Sequence, residues 1–212
     1  MQNPVIIFGA NQLGRLAKEI FELNEVVVFG FLDDNVKLHN TELDDITILG
    51  NTDDEGFLKL IGKKCESFVA VDDTRLKKSL IKMLNEIRHV QPVNAIHKNA
   101  SISSKADLGH GNLVDTRVAI APGVNVGHHA IIHAGCLLGV QCKVGDYVQI
   151  GAGCTIGHEA EIENEVFIGD GATIVAGVKI GRGARIGAGS VVVSSVEAGA
   201  TVFGNPAQKI KS

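Results

Sequence analysis

From Ile96 to Val192 every sixth residue is aliphatic, seventeen positions without a miss. An α-helix repeats its apolar residues about every 3.6 positions and a half-buried strand about every 2, so neither accounts for the beat. A short fixed period of this kind is the signature of a β-solenoid. Four residues after most of these aliphatics stands a second small or apolar residue, among them Val118, Val124, Ala130, Val148 and Ala160. Both positions point inward and fill a narrow prism. Cys136, Cys142 and Cys154 fall in the second inward slot and read as packing residues. Glycine follows many of the aliphatics, as in Gly139, Gly145, Gly151 and Gly157, and these glycines are expected to supply the positive φ of the corners.

The first ninety residues follow another rule. Residues 4–8 (PVIIF) read as a buried strand, followed by Gly9-Ala10-Asn11-Gln12-Leu13-Gly14 and an amphipathic helix in RLAKEIFEL. A second strand, VVVFGFLDD, ends in Asp33-Asp34; FVAVDD is a third, ends in Asp72-Asp73, and leads into a helix over 74–89. This βαβ order predicts a small Rossmann-like parallel α/β domain, with its ligand crevice at the strand C-termini. The division is expected near Pro92: residues 1–92 form the Rossmann-like domain and 93–212 the β-helix with its C-terminal tail.

Composition removes several classes of function. The net charge of −4 argues against nucleic acid as the main partner. No run approaches the roughly 20 apolar residues of a membrane span, so no membrane insertion is expected. The start MQNPVIIFGA lacks a secretory signal pattern, and the four cysteines form no C-x-x-C pair. A reducing cytoplasm fits both.

The hexads resemble the left-handed parallel β-helix of the hexapeptide-repeat transferases, in which three hexads close one triangular coil. Residues 18 apart then stack about 4.8 Å from one another. With IIFGANQLGRLAKEI, GFLDD, AIHKNASIS and the ending GAGSVVVSSVEAGATVFGNPAQKI, almost the whole chain resembles bacterial sugar O- and N-acetyltransferases. These are the relatives of sialic acid O-acetyltransferase and the UDP-4-amino-sugar acetyltransferases. The resemblance implies a homotrimer, acetyl-CoA as co-substrate between neighbouring β-helices, no metal, and a nucleotide-linked sugar near the N-terminal domain. It implies a histidine base oriented by an acidic neighbour. It places acetyl-CoA near Gln149, Gly169 and Ala188, with Lys179, Arg182 and Arg185 available for its phosphates. The nucleotide sugar is placed at Gly9, Asn11, Gln12, Leu13, Asp33, Asp34 and Asp72.

The chain departs from that family at the centre of the chemistry. Members carry a segment of the form I-N-T-G-A-x-V-G-H-D-C-x-I-G-D-F-V-H-I, which falls on residues 132–150. Gly135, Gly139, Cys142, Gly145, Asp146 and Val148 agree, but the base position is Val140, its acidic neighbour Gln141 and the second histidine Gln149. His158-Glu159 restores the tripeptide 18 residues later, one coil along. His158 is therefore the first candidate base, with Glu159 as its partner. His133, in place of the family's asparagine, is the substitute.

Two other readings stay open. His128 and His133 have the H-x4-H spacing of γ-class carbonic anhydrases, and one coil below His133 stands Asp115, giving a candidate zinc set of Asp115, His128 and His133. A catalytically silent trimeric binder is the third reading, because valine cannot take a proton.

Overall fold

The computed structural model describes residues 2–210, and the chain separates into two compact units, Met1–Lys98 and Asn99–Ser212. The division lies beyond the expected Pro92 for a local reason. Val93 N donates to Ser67 O at 2.9 Å and Asn24 Nδ2 donates to Ile96 O at 2.7 Å, so this stretch is bonded into the first unit.

In the first unit β1 (Val5–Phe8) is buried along its whole length, as a central parallel strand must be. It pairs in parallel with β2 (Val28–Leu32) on one side. A strand at Glu66–Val69, β5 below, pairs with it in parallel on the other. Two strands that the sequence reading did not separate, β3 (Glu42–Leu43) and β4 (Ile46–Gly50), complete the order β3-β4-β2-β1-β5. Helix α1 (Gln12–Leu23) begins three residues before the expected RLAKEIFEL, because Asn11 is its N-cap. After the short α2 (Glu55–Leu58) and β5, helix α3 (Thr74–Met83) widens at Leu84–Arg88 and stops at His89, whose φ is +55°.

The second unit is the left-handed β-helix. Two-residue strands alternate among three faces, and each pairs in parallel with the strand 18 residues on: Ala119 with Leu137, Asn125 with Lys143, Ile131 with Gln149. The first face runs from Ser101–Ile102 to Val191–Val192 and the second from Asp107–Leu108 to Lys179–Ile180. The third runs from Leu113–Val114 to Arg185–Ile186, where the tail adds Thr201–Gly204 and, antiparallel to it, Ala207–Lys209. The sixfold aliphatics fill the prism: Leu138, Ile150, Ile156, Ile168 and Ile174 are fully buried.

The corners correct the expectation about glycine. From Gly111 to Gly189 the residue with positive φ is the fourth of its hexad, whether it is Gly135, Gly153 and Gly171 or Gln141, Tyr147 and Glu159. The glycine that directly follows the aliphatic has another purpose. A Cβ on Gly139 would stand 2.8 Å from His158 N and 2.9 Å from Gly157 C, so the next coil leaves room for hydrogen alone.

Candidate functional site

At the C-terminal ends of β1, β2 and β5 the sequence-predicted nucleotide residues come together through backbone contacts. Gly9 has a φ of +107°, and a Cβ on it would lie 2.5 Å from Ala70 O. Asn11 Oδ1 accepts from Leu13 N at 2.9 Å and Gly14 N at 3.0 Å, while its Nδ2 donates to Ala70 O at 3.0 Å. Asp33 Oδ2 accepts from Ala10 N at 2.8 Å and its Oδ1 from Asn35 N at 2.9 Å. Asp34 Oδ1 accepts from both the N–H and the hydroxyl of Thr52, at 2.9 and 2.8 Å. Leu13 turns its side chain into the core, whereas Gln12 and Asp72 are exposed at the rim.

One functional-looking group escaped the sequence reading. Lys77, in the first turns of α3, is only 4% exposed. Burial pulls its ammonium down to about 8, against the pull of the Asp72 carboxylate. A lysine between Leu76 and Lys78 carries no sequence mark of burial beyond its place in the helical period.

On the β-helix the candidates divide among the prism edges. His158 and Glu159 lie on the edge that follows the first face, both exposed, and His158 Nδ1 accepts from Val140 N at 2.9 Å. His128 lies on the edge after the second face, where its Nδ1 accepts from His110 N at 3.0 Å and the two rings stack with centroids 5.6 Å apart. His133 lies on the edge after the third face, half-buried and one coil above Asp115. Asp115 itself is buried, with Oδ1 accepting from Thr116 N at 2.5 Å. Thus Asp115 and His133 share an edge and His128 does not. Among the described residues no three His, Cys, Asp or Glu side chains gather to hold a metal.

The acetyl-CoA candidates share the third face and its edge with His133. Gln149 sits in a third-face strand, and Gly169 and Ala188 are on the edge that follows. That edge is bare. At Gly135, Gly153, Gly171 and Gly189, the fourth hexad residue of successive coils, nothing lies within 4 Å of where a Cβ would be. Of the three basic candidates only Arg185 belongs here, stacked 4.5 Å over the Phe167 ring. Lys179 is paired with Glu163 at 2.7 Å and Arg182 with Glu165, both off this edge.

The cysteines are held for packing. Cys136 Sγ donates to Gly151 O and Cys154 Sγ to Gly169 O. The Cys154 thiol and burial together raise the Cys136 thiol, and burial pushes the Cys142 thiol up to about 11.

Residues 4–84 match the PglD N-terminal domain, and residues 159–194 match the bacterial transferase hexapeptide of six repeats. By sequence, no curated protein matches the chain. Among solved structures, a variant of perosamine N-acetyltransferase from Caulobacter crescentus, in complex with CoA and GDP-perosamine, is 26% identical. It covers 100% of this chain and 99% of its own, with a TM-score of 0.83. The chain matches the bacterial sugar acetyltransferases in both halves. The acetyltransferase domain of PglB from Neisseria gonorrhoeae FA1090, solved with acetyl coenzyme A, shares its fold at a TM-score of 0.88. It is 22% identical and covers 99% of this chain and 100% of its own. WeeI from Acinetobacter baumannii AYE has the same fold at 24% identity, a TM-score of 0.71, and cover of 98% and 99%.

Where the resembled family's segment is expected to carry a histidine, an acidic residue and a second histidine, this chain has Val140, Gln141 and Gln149, and its own β-helix histidines are spread over all three edges. Among the described residues no helix is long and apolar enough to cross a membrane.

Proposed function

We propose that the protein transfers an acetyl group from acetyl-CoA to the amine or hydroxyl of a nucleotide-linked sugar. The observation that carries this reading is the order of the two matched domains, together with end-to-end likeness to an N-acetyltransferase solved with CoA and GDP-perosamine. The bare third edge gives a thin pantetheine chain a path along the backbone past Gly169 and Ala188, ending near His133. Arg185 is the cation beside that path. The crevice around Gly9, Asn11, Asp33, Asp34 and Asp72 takes the nucleotide.

The reaction is a direct displacement. The acceptor's nitrogen or oxygen attacks the thioester carbonyl, forming the C–N or C–O bond as the C–S bond breaks. CoA sulfur leaves as the thiolate; a β-helix histidine takes the proton that the nucleophile sheds and passes it to that sulfur, releasing CoA as the thiol. Assembly is as a homotrimer through the first face, whose outward residues Ala119, Leu137, Thr155, Thr173 and Val191 are all uncharged. The cytoplasm, where acetyl-CoA is made and thiols stay reduced, suits the four free cysteines.

The test is acetyl transfer to a panel of UDP- and GDP-linked 4-amino sugars, followed by mass spectrometry, with thermal stabilisation by acetyl-CoA as the binding readout. An acetylated product with stabilisation is expected. No stabilisation at millimolar acetyl-CoA and no product from any acceptor would sink the proposal.

A further inference from the structure

One hydrogen bond recurs along the coils. Asp146 Oδ1 accepts from His128 N at 2.8 Å, Asn164 Oδ1 from Asp146 N at 2.9 Å and Asp170 Oδ1 from Ala152 N at 2.9 Å. His128 Nδ1 accepts from His110 N at 3.0 Å, and His158 Nδ1 accepts from Val140 N at 2.9 Å. In all five the acceptor is the third residue of its hexad and the donor is the backbone N–H one coil below. Aspartate and asparagine serve this slot as well as histidine does. Where this bond is made, it requires a lone pair on the third residue.

That requirement decides the chemistry of His158. A neutral imidazole has one nitrogen that accepts and one that donates. A backbone N–H can only donate, so Nδ1 of His158 is the accepting nitrogen and the ring proton sits on Nε2. The ring then meets the edge as a donor. To accept a substrate proton it must first release Val140 N–H.

His133 is in the opposite condition. It occupies the second hexad slot, where Gly109, Gly127, Gly139, Gly145 and Gly157 stand elsewhere. Its ring makes no hydrogen bond, ion pair or ring contact among the described residues, so its lone pair is uncommitted. It also stands on the bare third edge with Gly169 and Ala188.

We infer that His158 is a corner clamp fixed as the Nε2–H tautomer, and that His133 is the base that takes the acceptor's proton. The second half rests on the acetyl-transfer reading; the first half does not. Two measurements therefore test them separately. Nitrogen-15 spectra of the histidine rings, assigned with His158→Asn, are expected to show His158 protonated on Nε2 and unprotonated on Nδ1. In kinetics, His133→Gln is expected to lower kcat about a hundredfold or more, keeping acetyl-CoA stabilisation and its KM. His158→Asn, which retains an accepting oxygen as Asn164 does, is expected to keep both its melting temperature and its turnover. An Nδ1–H tautomer overturns the clamp. Collapse of turnover in His158→Asn while His133→Gln stays active overturns the choice of base. A wild-type protein that binds acetyl-CoA but acetylates nothing overturns the His133 half together with the transfer reading, and the spectra still decide the His158 half.

Discussion

A methyl group added to Gly139 would press on His158 N and Gly157 C, while one hydrogen fits. Two residues later Gln141 holds a φ of +59° with a full side chain, in a region where only glycine is free of strain. The two positions therefore respond in opposite directions. Gly139→Ala is expected to destabilise the β-helix by about 1–3 kcal/mol, as overpacking does. Gln141→Gly is expected to stabilise it by about 1 kcal/mol through relief of the left-handed backbone. Urea unfolding of both variants checks the pair, and a stabilised Gly139→Ala would refute the steric account. Lys77 carries a second prediction at this scale. Its folded value of about 8 lies below the ordinary 10.5, so the unfolded chain binds more protons between those limits. Stability contributed through Lys77 thus rises with pH from about 8 to about 10.5, and the full penalty, about 3 kcal/mol, is present below that window. Lys77→Met is expected to be more stable at pH 7 by about 2 kcal/mol and to lose that part of the pH dependence, measured by urea unfolding at pH 7 and 10.

Helix α1 depends on Asn11, which caps two N–H groups and ties the helix start to Ala70 O. Asn11→Ala is expected to cost about 1–2 kcal/mol, read as a lowered melting temperature of the first unit. That cap also explains a difference from the sequence reading: the apolar period begins at Leu13, so the eye starts the helix at Arg15 and passes over its first turn. The hexads were legible because both inward slots repeat without a break in length, and the prism needs them all. The short β3 and β4 were not, because TELDDITILG has only a few alternating residues and two left-handed aspartates, Asp44 and Asp45, at its turn. The corner glycines were visible but assigned the wrong task. Sequence marks where a side chain is excluded, yet only coordinates separate exclusion by φ from exclusion by the next coil. His158 shows the same limit at the candidate site. The G-H-E tripeptide was plain to read, while the backbone N–H that engages its lone pair lies 18 residues away.

Across the whole β-helix the three faces differ in what they offer to a neighbour. The second face is charged and internally paired, with Lys143–Glu161 at 2.8 Å and Lys179–Glu163 at 2.7 Å. The third carries the tail hairpin on its last coil. The first has no charged outward residue from Ala119 to Val191, and Leu137 on it is 45% exposed. Its edge adds Val140, Val175 and Val193, the last 54% exposed. An uncharged, partly apolar strip of this length, beside an ion-paired second face, is the surface that association would close. If the proposed trimer forms through it, a carboxylate at Leu137 would be buried without a partner. Leu137→Glu is then expected to weaken assembly at least a hundredfold, about 2.7 kcal/mol, giving monomers by light scattering at micromolar protein. Lys143→Glu on the second face, which breaks an exposed ion pair, is expected to leave the assembly unchanged. Acetyl-CoA stabilisation should be lost with the trimer in Leu137→Glu and kept in Lys143→Glu, because the co-substrate is expected between neighbouring β-helices. A monomeric Leu137→Glu that still binds acetyl-CoA as tightly as wild type would place the whole cleft within one chain.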